Sequence, residues 1–178
     1  MINYFKIFFS CLCFSCPLLC GVESDIRFND VENDSLYGKA VDLRLKEDLN
    51  NSLKILSEIK CCHLKANYTI AEIYLNDFGN YNISLDYFNK VISFLDNHES
   101  DKEISANNDL YKKSLFMSSY IYSNYLGMYS RGYDGYSTFL NQFPDDELIE
   151  SVMYELEQLK SKENNKMKII SKHKKKES

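Results

Sequence analysis

Residues 64–95 read LKANYTIAEIYLNDFGNYNISLDYFNKVISFL, and the reading of this stretch decides the fold. In its first half Ala66, Tyr68, Ala71, Tyr74 and Leu75 recur at three-and-four spacing. In its second half Tyr81, Ser84, Leu85, Phe88, Val91, Ile92 and Leu95 do the same. An α-helix brings residues three and four apart onto one face, so each half predicts a helix with a buried stripe. Asp77, Phe78, Gly79 and Asn80 stand between the halves. Gly79 can take the positive φ that ends a helix without steric cost, and the stretch therefore predicts a helical hairpin.

One hairpin of this size cannot cover both of its apolar faces, so a repeat is the expected remedy. A forward shift of 48 places Gly127 on Gly79, Tyr129 on Tyr81, Gly132 on Ser84, Tyr136 on Phe88, Phe139 on Val91 and Leu140 on Ile92. The same shift puts Phe116 on Tyr68, Ser119 on Ala71, Ile121 on Ile73 and Tyr122 on Tyr74. A backward shift of 32 gives a fainter copy, with Leu36 on Tyr68, Leu43 on Leu75, Leu49 on Tyr81, Ser52 on Ser84, Leu56 on Phe88 and Ile59 on Val91. Three copies follow. The polar run Asn97 to Asp109 accounts for the longer second spacing.

An aromatic, a small residue three positions on, a glycine-containing turn and then small, aromatic and apolar positions make a pattern that resembles the tetratricopeptide repeat, a helix-turn-helix unit of about 34 residues. Pro144 falls where that repeat ends. The resemblance covers roughly residues 33–144, with Glu47 standing where the turn glycine is expected and Ser52, Ser84 and Gly132 filling the small-residue slots. It implies an all-α fold, a TPR-like α-solenoid of about three helical hairpins plus a C-terminal capping helix. The capping helix is expected over residues 147–160, begun by an Asp after Pro144 and striped by Leu148, Val152, Leu156 and Leu159. It also fits the first helix of a further repeat.

Solenoids of this kind grip peptides or helices along a concave side lined by first helices. By resemblance the inward positions are Tyr37, Val41 and Arg44 in the first copy and Thr69, Ile73 and Asn76 in the second. In the third they are Met117, Ile121, Asn124 and Tyr125. Seven tyrosines between residues 111 and 136 exceed what one buried hairpin face holds, and tyrosine is favoured at interfaces.

Residues 1–22 carry Lys6 and then run uncharged from Ile7 to Val22, long enough for a secretory signal and short for a span of about 20 residues. An uncleaved anchor is the alternative. Cys20 at the end of that run, or else Cys16, is the candidate for lipid attachment, which would hold the chain at a membrane surface. Residues 23–34 read as an acidic tether, 35–160 as the helical domain with Asp34 or Ser35 capping its first helix, and 161–178 as a disordered lysine-rich tail. From Lys160 onward eight lysines face two acidic residues, against thirteen basic and twenty-four acidic residues before it, so the tail carries about +6 and the body about −11. The alternative is that such a tail attracts anionic lipid or nucleic acid, but no nucleic-acid partner is expected, since Lys174–Lys176 is a short run and no aromatics are interleaved for base stacking.

The export segment, the early hairpin, the run GNYNISLDYFNKVISFL and the later YSTFLNQFP look like the BamD-type outer-membrane assembly lipoproteins. That resemblance implies a periplasmic face of the outer membrane and partners in the β-barrel assembly machinery. Members of that group usually carry five repeats, so contacts made by later repeats do not carry over.

Enzyme chemistry is not expected. The sequence contains no P-loop, GxGxxG, GxSxG or HExxH, and its three histidines are scattered. Cys61, Cys62 and His63 are weighed as structural, since adjacent residues on a helix point about 100° apart and zinc needs four converging ligands. No cofactor or metal is expected. With 44% apolar residues and only two prolines and six glycines, the chain suits one helical domain with a core of its own.

Overall fold

A computed structural model describes residues 31–97 and 108–174. Among them every regular element is helical: α1 (Val31–Leu45), α2 (Leu49–Ile59), α3 (Leu64–Asn76), α4 (Tyr81–Asn97), α5 (Asn108–Tyr120, continued by a π-helical turn Ile121–Tyr125), α6 (Tyr129–Gln142) and α7 (Ile149–Lys174). Each helix packs on the one before and the one after it, and α3 also reaches α5. The result is an all-α solenoid of three hairpins, α1–α2, α3–α4 and α5–α6, closed at the far end by α7. The segments 1–22 and 23–30, with Cys16 and Cys20, lie outside the described residues, as does most of the insertion before Asp109.

Each hairpin turns on one residue in the left-handed region: Glu47 at φ 63°, Gly79 at 61° and Gly127 at 63°. The expected turn glycine is absent from the first copy, yet its geometry is kept by Glu47. The residue after each turn opens the next helix. The Asn51 N–H donates to Asp48 Oδ1 at 3.4 Å and the Ile83 N–H to Asn80 Oδ1 at 3.2 Å, both N-cap bonds.

The small-residue slots are where paired helices touch. Ser52 Oγ donates to the Ala40 carbonyl and Ser84 Oγ to the Ala71 carbonyl, both at 2.8 Å. In the third hairpin Gly132 faces Ser119 and Ser123 so closely that an added Cβ would lie 3.0 Å from Ser119 O and 2.8 Å from Ser123 Cβ. The aromatic slots repeat as well: Tyr68 meets Phe88 at 5.4 Å, and Phe116 meets Tyr136 at 5.8 Å.

Three expectations change. First, α1 sits one residue out of the predicted frame, because Ala40, not Lys39, takes the place of Ala71, and Tyr37, not Leu36, that of Tyr68. The cause is the turn. Asp48 N donates to Leu43 O, five residues back, whereas Asn80 N reaches Tyr74 O and Met128 N reaches Tyr122 O, six back. The second and third hairpins thus hold one extra residue in a widened last turn, which α1 lacks.

Second, α1 begins at Val31, inside the predicted tether, with Glu32 and Asp34 in its first turn beside the positive end of the helix dipole. Asp34 is therefore helical and does not cap. Third, α7 runs on to Lys174. Residues 161–174, expected to lack structure, continue a helix already nucleated by its docked first half, and propagation is far less costly than nucleation.

The core follows the hairpins. Ala40, Leu56, Ile59, Ala66, Ile70 and Ile73 join the first hairpin to the second, and Ala71, Leu75, Leu85, Phe88 and Ile121 join the second to the third. Val152 and Leu159 of α7 are sealed with Leu115, Tyr136 and Phe139, flanked by Leu148 and Leu156 as the stripe predicts. Full burial of a Val or Leu side chain contributes roughly 1.5–3 kcal/mol, so α7 is firmly seated.

Candidate docking surface

The ten positions proposed for an inward face separate into three groups. Ile73 and Ile121 are fully buried, and Thr69 nearly so. Ile73 and Ile121 are equivalent by the 48-residue shift, and each points back onto the preceding hairpin, where it closes the core. They seal the joints between repeats and offer nothing to a ligand. Met117 is half-buried in the same joint as Ile121.

A second group ties first helices to one another. Tyr37 Oη and Thr69 Oγ1 are 3.1 Å apart across α1 and α3. Arg44 Nη1 donates to Glu72 Oε2 at 2.9 Å, with Asp77 Oδ2 3.7 Å from Arg44 Nε. Asn124 repeats this role further along: its Nδ2 donates to Glu155 Oε2 at 2.9 Å, and its Oδ1 accepts from Lys162 Nζ at 2.6 Å. Val41 is half-buried beside these contacts. Only Asn76 and Tyr125 are exposed.

The open stripe of the first helices thus keeps the expected Asn76 and Asn124 but passes through Glu72 and Tyr120, one position before the expected Ile73 and Ile121. On α3 it comprises Lys65, Glu72 and Asn76, and on α5 their 48-residue equivalents Lys113, Tyr120 and Asn124, all exposed or half-buried. Side chains one position apart on a helix diverge by about 100°, so this small offset exchanges a buried seam for an accessible one.

At the end of α5 the surplus tyrosines become visible. Tyr125 is 46% exposed and stacks on Tyr81 at 4.0 Å, with its rings 9° from parallel. Tyr120 meets Tyr125 edge-on at 5.7 Å. Burial, followed by the proximity of Tyr125 and the negative charge of Glu155, raises the Tyr120 hydroxyl above its ordinary pKa. The Tyr81–Tyr125–Tyr120 group spans the joint between the second and third hairpins, and the Asn124–Glu155–Lys162 hydrogen bonds border it. Phe78 and Met128, 48% and 45% exposed, stand on the two adjacent turns. Aromatic and methionine side chains rimmed by satisfied polar groups are the composition of a protein-binding patch. The excess of tyrosine signalled this patch in the sequence, and only Tyr136 of the seven is fully buried.

The corner between α2 and α3 carries a different set of groups. His63 is 4% exposed and caps α3: the Ala66 N–H donates to its Nδ1 at 3.1 Å, which leaves the proton on Nε2, 3.1 Å from Asp34 Oδ1. Its ring stacks on Tyr37 at 4.6 Å. The buried Asn67 amide donates to the Lys60 carbonyl at 2.6 Å, closing the turn beneath. Residues 60–63 are not helical, and the expected divergence of the two thiols does not hold there: Cys61 Sγ and Cys62 Sγ lie 3.6 Å apart. Cys61 is exposed and Cys62 half-buried. No group of three or more His, Cys, Asp or Glu side chains converges as a metal site among the described residues.

No described helix is long and apolar enough to cross a membrane. The chain matches no protein-family model and no curated protein.

Proposed function

We propose that this chain is a non-enzymatic tetratricopeptide-type scaffold of the bacterial cell envelope, held by lipid on Cys20 and docking proteins that assemble outer-membrane β-barrels. The observation that carries the reading is the stack of the exposed Tyr125 on the half-buried Tyr81 at the joint of two hairpins, with its hydrogen-bonded polar border. A rigid aromatic pair offers contact area at little conformational cost, which suits anchoring a partner segment. The helical-hairpin solenoid, the export-like residues 1–22 and the likeness to BamD-type lipoproteins support the envelope setting.

The test is affinity capture of the full-length chain from detergent-solubilised membranes, with mass identification of partners and of any lipid on Cys20 or Cys16. Recovery of a barrel-assembly protein, lost in Tyr125→Ala at unchanged melting temperature, is the expected result. Recovery only of cell-wall or secretion components would replace the barrel-assembly reading with that of a different envelope adaptor.

A second reading is favoured by the continuation of α7 through Lys174. A lysine-rich helix is a suitable ligand for anionic lipid or nucleic acid. Removal of residues 161–178 with undiminished membrane and partner binding would exclude it.

A further inference from the structure

We infer that Cys61 and Cys62 form a reversible thiol–disulfide exchange site that loosens the joint between the first two hairpins when oxidised. The two sulfurs already lie 3.6 Å apart in a non-helical turn, one exposed to a small reagent and the other half-buried behind it. The oxidant is a low-molecular-weight disulfide. The exposed Cys61 thiolate attacks one of its sulfurs, breaking that S–S bond, forming a mixed disulfide and expelling one thiol. Cys62 then attacks the Cys61 sulfur, closing a Cys61–Cys62 bond and expelling the second thiol. Two protein thiols and one small disulfide thus become one protein disulfide and two small thiols.

The product is strained. Neighbouring Cα atoms are about 3.8 Å apart across a trans peptide, short of the roughly 4.4–6.8 Å that disulfides ordinarily span. Strained, accessible disulfides are the readily reduced ones, so the bond acts as a switch and not as a staple.

The position of Cys62 gives the switch an output. Its Sγ accepts from Asn33 Nδ2 at 3.4 Å and contacts Ile59 O at 3.5 Å. Ring closure draws that sulfur toward Cys61 and away from Asn33, which belongs to the first turn of α1. The next residue, His63, holds Asp34 and Tyr37 of the same helix. Oxidation therefore releases the N-terminal end of α1 from the corner that anchors it.

Trypsin cuts after Lys60 and Lys65, isolating residues 61–65 from the four cysteines of the N-terminal segment. The full-length protein is treated with oxidised glutathione, alkylated under denaturing conditions and digested. The expected 61–65 peptide is unalkylated, lighter by two hydrogens and restored by dithiothreitol, while Cys62→Ser retains one glutathione on Cys61. Stable glutathione on the wild-type peptide, or full alkylation of both thiols, would overturn the site. Amide exchange in α1 several-fold faster after oxidation is expected, and unchanged exchange alongside a closed ring would overturn the coupling.

Discussion

The Ser84 hydroxyl donates to the Ala71 carbonyl at 2.8 Å across the second hairpin, in a contact from which solvent is excluded. A buried serine in this slot does two things. It is small enough to let α3 and α4 approach closely, and its hydroxyl is satisfied within the crossing. Ser84→Ala keeps the approach and removes one buried hydrogen bond, a loss of about 1 kcal/mol. Ser84→Leu should cost more, about 1–3 kcal/mol, through overpacking. Urea midpoints at constant denaturant slope measure both, and equal values for the two variants would contradict the crossing.

Gly132 holds the equivalent place in the third hairpin without a side chain. In an open helix Gly→Ala gains roughly 0.5–1 kcal/mol from propensity. Here the new Cβ would stand 2.8 Å from Ser123 Cβ and 3.0 Å from the Ser119 carbonyl oxygen, and backbone cannot swing aside as a flexible side chain can. Gly132→Ala is expected to destabilise by about 1–3 kcal/mol. A gain in thermal stability would mean that α5 and α6 are further apart than described.

Glu47 adopts φ 63° in the turn where Gly79 and Gly127 occupy the other copies. The left-handed conformation costs an ordinary L-residue roughly 1–2 kcal/mol, while glycine returns about 0.4–1 kcal/mol of that through its freer unfolded chain. Glu47→Gly should therefore stabilise by about 0.5–1 kcal/mol, and Gly79→Ala should do the opposite. Thermal melts of the two single variants decide the sign, and a destabilised Glu47→Gly would show that the glutamate side chain contributes something its exposed position does not reveal.

These positions also show what the sequence made legible. The turn residues, the small-residue slots and the aromatic positions Tyr68, Phe88, Phe116 and Tyr136 could be read because each recurs at fixed spacing, while the contacts of Tyr68 with Phe88 and of Phe116 with Tyr136 come from the packing of the hairpins. The one-residue slip of α1 could not be read from apolar periodicity, since it comes from a wider final turn in the other two hairpins, a change in backbone hydrogen bonding with little effect on composition. The same limit misplaced Ile73 and Ile121. Family resemblance gave them a helix but not the rotation that turns them onto the preceding hairpin. His63 is not legible as a cap because Ser, Thr, Asp and Asn ordinarily fill that role, and its partners Asp34 and Tyr37 are about thirty residues away. The Tyr81–Tyr125 stack joins residues from different hairpins, so only the surplus of tyrosine hinted at it.

Asp146 provides a pH test of how α7 is fastened. Its carboxylate accepts from Lys112 Nζ at 2.6 Å and from the Leu148 N–H at 3.0 Å, linking α5 to the turn that opens α7. The Lys112 hydrogen bond first, and then the backbone N–H, hold its pKa below the ordinary value. A carboxyl whose pKa is lower when folded than when unfolded binds fewer protons in the native state. Its contribution is therefore present in full above the unfolded value near 4 and fades as pH falls through the lower folded value. Asp146→Asn should be less stable than wild type at pH 7, with the difference shrinking steadily below about pH 4. Chemical denaturation across that range measures the gap, and a gap that stays constant down to the acid limit would show that the asparagine loses packing and not charge.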